Sequence, residues 1–86
     1  MNQLAVSLAG HDKGSVYVIV GEEDGVIRLA DGKTRTLLSP KKKNPMHIRR
    51  ICHLPEEIVR ALEKVSIDSD LVHVLRLYQA YQKEKR

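Results

Sequence analysis

The sequence predicts a mainly β fold that ends in two short helices. Five short apolar stretches lie within residues 1–54, and turns containing glycine, aspartate or proline separate them. This spacing is typical of a small closed β-barrel of the SH3-like kind. After Pro55 the apolar positions recur at helical intervals instead. The 86 residues suit one domain, which we divide into a barrel, residues 1–54, and a two-helix extension, residues 55–86.

The first two predicted strands are residues 3–9 and 15–21, and they are joined by the turn Ala9-Gly10-His11-Asp12-Lys13-Gly14. The first strand alternates in hydrophobicity and the second is rich in β-branched residues, as expected for a hairpin. Glycine adopts positive φ without strain, so we assign Gly10 and Gly14 a structural role in the turn. The turn then places the cation of Lys13 beside exposed backbone.

Three further strands are predicted at residues 26–30, 33–38 and 46–52. Asp31-Gly32 is a strong signal for a two-residue hairpin turn, and we assign Gly32 to that turn. Pro40 and Pro45 bracket a short basic segment. Because proline has no N–H to donate and restricts the residue before it, we expect this segment to be a loop of limited freedom.

Two amphipathic helices are predicted in the C-terminal third. Pro55 suits the first position of a helix, and the two acids after it favour the positive end of the helix dipole. The second helix is expected from about Ser69 to Lys83. Each is too short to be stable alone in water, so they must pack on each other, on the barrel or on a partner. The second has more apolar positions than one face needs, including Val72 and Leu77, which makes a homodimer through these helices a candidate assembly.

Positive charge is concentrated in one segment. The chain has a net charge of +4, yet residues 33–50 contain seven Lys and Arg residues and no Asp or Glu. A basic stretch of this kind is typical of a surface that binds a polyanion such as nucleic acid. The alternative interpretation is a solvated loop that keeps the chain soluble.

The sequence shows no catalytic or metal-binding constellation. His47 and His53 are too far apart on one strand to bind a metal without other ligands, and Cys52 points to the face opposite His53. We expect Cys52 to be a small buried hydrophobe. A single cysteine excludes an internal disulfide and favours the reducing cytoplasm, and the longest apolar run is too short to cross a bilayer. We therefore predict a cytoplasmic protein without enzymatic activity, cofactor, metal or membrane span.

Tyr17 is the one aromatic residue of the predicted β region. It alternates out of phase with Val16 and Val18, so it either lies on an outer face and stacks a base, or packs under a loop with its hydroxyl bonded. With so little material for stacking, we expect recognition of phosphates and of nucleic-acid shape rather than of sequence.

Residues 3–54 resemble a known family. The resemblance to a KOW motif is carried by Leu4, Val6, Leu8, Gly10, Asp12-Lys13-Gly14, Val18-Ile19-Val20, Val26-Ile27-Arg28-Leu29 and Asp31-Gly32. One family among the KOW proteins is indicated by two further stretches, Ser39-Pro40-Lys41-Lys42-Lys43-Asn44 and His47-Ile48. Together these residues resemble the KOW-containing large-subunit ribosomal protein of archaea and eukaryotes, the fourteen-e type, and its short bacterial relatives, the KOW-domain RNA-binding proteins. Residues 55–86 carry no such resemblance.

The resemblance implies an SH3-like barrel that binds RNA, and ribosomal RNA rather than DNA. It also implies that the turn with Lys13 and Gly14 approaches the RNA. We therefore predict a non-enzymatic, ribosome-associated protein that docks on structured ribosomal RNA and has ribosomal proteins as neighbours. The predicted RNA contacts are Lys13, Lys33, Arg35, Lys41, Lys42, Lys43, Asn44, His47, Arg49 and Arg50. The cations would bind phosphates, and the Asn and His side chains would bond sugars or base edges.

Two alternative functions stay open at this point. In the first, the barrel is a scaffold and the C-terminal helices form a protein-interaction module. In the second, the chain is a nucleic-acid-binding factor that acts in transcription, as other KOW proteins do.

Overall fold

The computed structural model describes residues 2–84, which form one antiparallel five-stranded sheet followed by two helices. The strands are β1 (Gln3–Ser7), β2 (Val16–Glu23), β3 (Val26–Ala30), β4 (Lys41–Lys43) and β5 (Ile48–Ile51). A one-turn 3₁₀ helix, Pro45–His47, joins β4 to β5, and the helices are α1 (Glu56–Glu63) and α2 (Asp68–Glu84). The predicted fold class, mainly β with a helical extension, is therefore confirmed.

The strand order across the sheet is β4-β3-β2-β1-β5, so the first strand lies between the second and the last. Gln3 is opposite Ile19 in the β1–β2 ladder, and Leu4 is opposite Ile51 in the β1–β5 ladder. β4 and β5 are the two edges, and no ladder pairs them with each other within residues 2–84. The sheet is therefore not closed into a barrel by backbone hydrogen bonds in the part of the chain described.

Both faces of the sheet are buried, and alternate residues of β2 show why. Val18 belongs to a core cluster with Leu4 and Ala30, and the helices complete this cluster with Ile58, Leu62, Leu71, Val74 and Tyr78. Tyr17 and Ile19 point the other way, into a second cluster with Ala5, Ile27, Leu29 and Ile48. Successive side chains of a strand lie on opposite faces. The helices therefore cover one face, and the second face has a core made by strand residues alone.

The predicted fourth strand, residues 33–38, is wrong. Those residues form turns and bends, and β4 lies in the basic segment that we expected to be a loop. The reason is Asp31, whose Oδ1 accepts hydrogen bonds from the backbone N–H groups of Lys33 (2.9 Å) and Arg35 (2.8 Å) and folds the chain into a tight turn. The two prolines lie outside the three residues of β4, so they remove no hydrogen bond from its ladder.

Gly32 has a structural role, but it is not the role in a two-residue hairpin turn that we predicted. Its φ is +81°, and an added Cβ would collide with the backbone oxygen of Asp68 and lie 3.0 Å from Val72 Cγ2. The backbone N–H of Leu37 also donates to Asp68 Oδ1 (2.8 Å). The segment 31–37 is thus docked on the first turn of α2, and only a residue without a side chain fits at the point of closest approach.

The two helices pack on each other and on the sheet, which are two of the three arrangements that we expected. Pro55 is the residue before α1 rather than its first helical position. The start of α2 is stabilised by Asp70, whose Oδ2 accepts from the backbone N–H groups of Ser66 (2.9 Å) and Ile67 (3.1 Å). Within the described residues no helix combines the length and hydrophobicity that a bilayer crossing needs.

The apolar positions that suggested a homodimer have contacts within the chain. Val72 lies against the segment at Gly32, and Leu77 packs against the helix-covered core cluster. The extra apolar residues of α2 therefore have partners without a second copy, and the homodimer stays an untested prediction.

Cys52 is exposed, so the prediction that it is a buried hydrophobe is wrong. It follows the last residue of β5, where the ladder with β1 ends and the chain continues without regular structure to Pro55. The next residue, His53, has a φ of +54° and turns the chain away from the sheet.

Candidate nucleic-acid interface

The turn between β1 and β2 is a compact loop held by its own backbone. The Gly14 N–H donates to the Ser7 carbonyl (2.8 Å), and the Ser7 N–H donates to the Ser15 carbonyl (2.9 Å). Gly10 and Gly14 have φ values of +87° and +90°, which a residue with a side chain adopts only under strain. The loop exposes Lys13, so the cation is presented on a rigid turn.

Asp12 is the centre of a polar cluster beneath this turn. Its Oδ1 accepts from Lys43 Nζ (2.9 Å) and from Ser7 Oγ (2.8 Å). Its Oδ2 pairs with Lys41 Nζ (2.8 Å) and accepts from the Tyr17 hydroxyl (3.0 Å). One carboxylate therefore links the first turn of the chain to the edge strand β4, about thirty residues later.

The charges of this Asp12 cluster attract one another, because one carboxylate lies between two ammonium groups. Ion pairs with Lys41 and Lys43 hold the pKa of Asp12 far below its ordinary value, against a smaller opposing effect of burial. Burial, together with the hydrogen bond to Asp12, raises the pKa of Tyr17 to about 12. The cluster is thus an ionised carboxylate with its donors arranged around it, the arrangement that a charge needs when little water reaches it.

Strand geometry separates the three consecutive lysines of β4. Lys41 and Lys43 share the face of the sheet that holds the strand-only core, and the side chain of Lys43 is only 10% exposed. Lys42 is opposite Arg28 on the other face and is exposed. Two of the three lysines therefore bind Asp12, and the middle one is available to a ligand.

Tyr17 is not on an outer face. It is 7% exposed and its hydroxyl donates to Asp12, so of the two interpretations that the sequence allowed, packing under a loop is the one observed. Its ring belongs to the strand-only core cluster. Stacking of a base on this side chain is excluded by its burial.

Arg50 lies toward the opposite end of β1 from the Asp12 cluster. Its guanidinium bonds Gln3 Oε1 (2.6 Å) and Glu22 Oε1 (2.6 Å), whereas Asp12 bonds Ser7 at the other end of that strand. The two acids at the end of β2 thus pair with arginines, since Glu23 likewise bonds Arg28 (2.7 Å).

The remaining predicted contacts are exposed, and they lie on several elements. Asn44 begins the 3₁₀ helix, where its Oδ1 accepts from the Met46 N–H (2.8 Å), and the backbone oxygen of His47 accepts from the Leu8 N–H (2.8 Å). The exposed predicted contacts are Lys13, Lys33, Arg35, Lys42, Asn44, His47, Arg49 and Arg50. Of these, Lys33 and Arg35 lie in the tight turn that Asp31 organises.

A groove runs between the first turn, the 31–35 turn and α2. Gly14 and Ser15 line one side, Lys33 lines a second, and Arg76 with Gln79 lines the third. Its volume is about 470 Å³, which is within the range of roughly 300–1,000 Å³ found for ligand sites. The structure therefore brings a predicted contact, Lys33, next to a cation of the helical extension.

Sequence reasoning missed both Asp12 and Arg76 as members of the candidate interface. Asp12 was identified only as a residue of the first turn, because nothing in the sequence shows that β4 lies beside that turn. Arg76 was not assigned because the resemblance ends before the helices. A regular spacing of Arg76, Gln79 and Gln82 along one face of α2 was the available signal.

The described residues contain no group of three or more His, Cys, Asp or Glu side chains that could hold a metal ion. The clustered ionisable groups around Asp12 are joined to one another and accounted for by hydrogen bonds. What the surface offers chemically is therefore positive charge and hydrogen-bond donors on rigid turns, which suits binding of an anion.

Comparison with known proteins gives limited similarity. No family model matches the chain. Among curated proteins, eukaryotic translation initiation factor 3 subunit I of Meyerozyma guilliermondii is 27% identical over 88 residues. That similarity covers 87% of this chain and 25% of the factor, so the chain spans about a quarter of the length of that relative.

Proposed function

We propose that this chain is a non-enzymatic RNA-binding protein that docks on structured ribosomal RNA. The observation that carries the proposal is the pair of neighbouring turns, each held rigid by its own hydrogen bonds, that present Lys13, Lys33 and Arg35 to solvent. Lys and Arg that neutralise phosphates release counterions, and this release drives binding to nucleic acid. Cations fixed on rigid turns lose little conformational entropy when they bind.

The fold supports the proposal through its strand order. A five-stranded antiparallel sheet whose edge strands are connected by one 3₁₀ turn, with a core on its inner face, is what a small SH3-like barrel of the KOW type requires. The resemblance of residues 3–54 to KOW proteins points to the same barrel and selects RNA as the ligand. We propose this finer description of the fold together with the function.

The predicted contacts fall into three groups: residues that bind phosphates, residues that bond sugars or bases, and residues whose charges are paired within the protein. Lys13, Lys33, Arg35, Lys42 and Arg49 are exposed and bind phosphates. Asn44 and His47 bond sugars or base edges. Lys41 and Lys43 act through Asp12 by holding the first turn against β4, and Arg50 stays paired with Glu22. The proposed site therefore has fewer direct phosphate contacts than the basic segment has charges.

The target is folded RNA rather than an extended single strand. Sequence-specific recognition of single strands depends on exposed aromatic side chains that stack bases, and the aromatic residue of the β region is buried. Exposed cations without stacking platforms suit the phosphates and shape of a helical or compactly folded RNA. The curated protein with partial sequence similarity is named as a subunit of a translation initiation factor, which supports a role in translation. We propose in addition that the chain acts in the cytoplasm beside ribosomal proteins.

The decisive test compares two charge-matched double variants by their affinity for a structured RNA hairpin. Lys33→Gln/Arg35→Gln removes two proposed contacts. Arg60→Gln/Lys64→Gln removes two exposed cations, one in α1 and one directly after it, which line a hollow with Glu56, Glu57 and Asp70. We expect the first variant to bind about ten- to a hundredfold more weakly, because each lost phosphate contact costs on the order of tenfold, and the second to bind within about twofold of the wild type. Equal affinities for the two variants would contradict the proposed site.

The class of RNA is tested by crosslinking in cells followed by sequencing of the bound RNA. The proposal predicts enrichment of a defined ribosomal RNA segment. Enrichment of nascent transcripts or DNA would favour the transcription-related alternative. Recovery of no nucleic acid, with a protein crosslinked through the helices, would favour the protein-interaction module.

A further inference from the structure

The groove between the two turns and α2 is lined on its helical side by polar residues at regular spacing. Arg76, Gln79 and Gln82 are three residues apart and so share one face of the helix. Arg76 and Gln79 are exposed. The Gln82 Nε2 donates to the Tyr78 hydroxyl (3.1 Å), which holds that side chain at the groove.

Charge in the groove favours an anion. Lys33 and Arg76 both line it from different walls. Asp31 is the one acid among the described lining residues, and its Oδ1 already accepts two backbone N–H groups. The described residues show no ion pair on Arg76 or on Lys33, whereas the arginine of α1, Arg60, pairs with Glu56 at 2.6 Å. The two groove cations are therefore available to a ligand.

The first turn lets a ligand approach closely. Gly14 lines the groove, and apart from Gly14 and its two chain neighbours no residue has an atom within 4 Å of the point where its Cβ would be. The space beside its backbone is therefore open. A sugar–phosphate chain needs such a passage, because its phosphates must come within hydrogen-bond distance of cations on both walls.

We propose that α2 forms one wall of the RNA interface, where Arg76 binds the sugar–phosphate backbone opposite Lys33 while Gln79 donates a hydrogen bond to it. This inference rests on the proposed RNA-binding function and assigns part of it to the helical extension. The hollow between α1 and α2 differs in charge, because its three acids, Glu56, Glu57 and Asp70, outnumber its two cations, Arg60 and Lys64. It therefore offers RNA no excess of positive charge, unlike the groove. The extension is thus part of the RNA site rather than a separate protein-interaction unit.

The test measures binding of the structured RNA hairpin to the full chain carrying Arg76→Gln, Arg76→Lys or Arg60→Gln. Arg76→Gln is expected to bind about five- to tenfold more weakly, with the slope of log affinity against log salt reduced in magnitude by about 0.7 to 0.9, as for loss of one phosphate contact. Arg76→Lys keeps the charge and is expected to recover most of the affinity. Arg60→Gln has the same change in net charge and is expected to bind within about twofold of the wild type.

Three outcomes separate this inference from the proposed function. If Arg76→Gln binds like Arg60→Gln while Lys33→Gln/Arg35→Gln binds weakly, the function stands and the role of α2 is overturned. If the wild type does not bind the hairpin at all, the proposed function is overturned, and this inference is overturned with it. If Arg76→Gln binds weakly, Arg60→Gln binds like the wild type, and the circular-dichroism spectrum and unfolding midpoint of Arg76→Gln match the wild type, the inference is supported.

Discussion

Lys41 and Lys43 differ from Lys42, although the three are consecutive in the sequence. The outer two point to the strand-only core and bind one carboxylate, Asp12, while the middle one is exposed on the other face. The comparison shows that a basic run in a sequence is not one surface. Alternation along a strand divides it into charges that hold the fold together and charges that are available to a ligand.

The single substitution with the largest expected effect is at Asp12, and the quantity that it changes is the stability of the fold. Asp12→Asn leaves two partly buried ammonium groups without a counter-charge, so we expect the free energy of unfolding to fall by about 2–4 kcal/mol. Asp24→Asn is the matched control, because Asp24 is exposed in a turn with positive φ, which Asn tolerates; its change is expected within about 0.5 kcal/mol. Denaturant unfolding measures both. Similar values for the two variants would show that the Asp12 cluster does not stabilise the fold.

The second comparison concerns the turn that carries Lys33 and Arg35, which Gly32 allows to pack on α2. Gly32→Ala meets backbone and side-chain atoms of α2 at positive φ, so we expect a loss of about 2–3 kcal/mol in unfolding free energy. Gly25→Ala also has positive φ but faces open space, and we expect it to lose only about 1 kcal/mol. Thermal or denaturant unfolding distinguishes them. Equal losses would show that the close approach of Gly32 to α2 does not add to the cost of a side chain at that position.

The stability of the Asp12 cluster also depends on pH. The folded-state pKa of Asp12 is depressed, so its stabilisation is complete above the ordinary pKa of 3.8 and is lost as pH falls below that value. At pH 3 the wild type is expected to have lost about 1 kcal/mol through this group relative to pH 6. Asp12→Asn lacks the group, so its unfolding free energy is expected to fall less over that interval. Parallel pH profiles for the two proteins would contradict the assignment.

A last pair of variants separates the neighbouring lysines directly. Lys43→Gln removes an ion pair at a side chain that is 10% exposed, together with a hydrogen bond to the Ala9 carbonyl (2.9 Å), and is expected to cost about 1–2 kcal/mol of unfolding free energy. Lys42→Gln removes an exposed charge and is expected to cost less than about 0.5 kcal/mol. Lys42→Gln is expected to weaken RNA binding instead. The reverse pattern, a destabilised Lys42 variant and an unaffected Lys43 variant, would contradict the assignment of Lys43 to the fold and of Lys42 to the ligand.

Much of the fold was predictable from short-range patterns. The first three strands and both helices follow from alternation and helical periodicity near the observed positions. The fourth strand was not predictable in this way, because the side chain of Asp31 binds the backbone of Lys33 and Arg35 and overrides a pattern that reads as a strand. The exposure of Cys52 was missed for a related reason: the strand ends one residue earlier than its pattern.

The candidate site was predictable only in part. Charge density identified the basic segment, but the partner that divides it, Asp12, is 31 residues from Lys43 in the sequence. Pairing over that distance depends on where β4 lies in the sheet, which local patterns do not encode. The contribution of Arg76 depends likewise on how α2 packs beside the first turn.

The salt dependence of RNA binding by the wild-type chain tests the central claim most directly. If four to six phosphates are neutralised by the exposed cations, the slope of log affinity for a structured RNA hairpin against log salt is expected to be about −3 to −5. A slope near zero, or no measurable binding at low salt, would contradict an interface built from exposed lysine and arginine side chains.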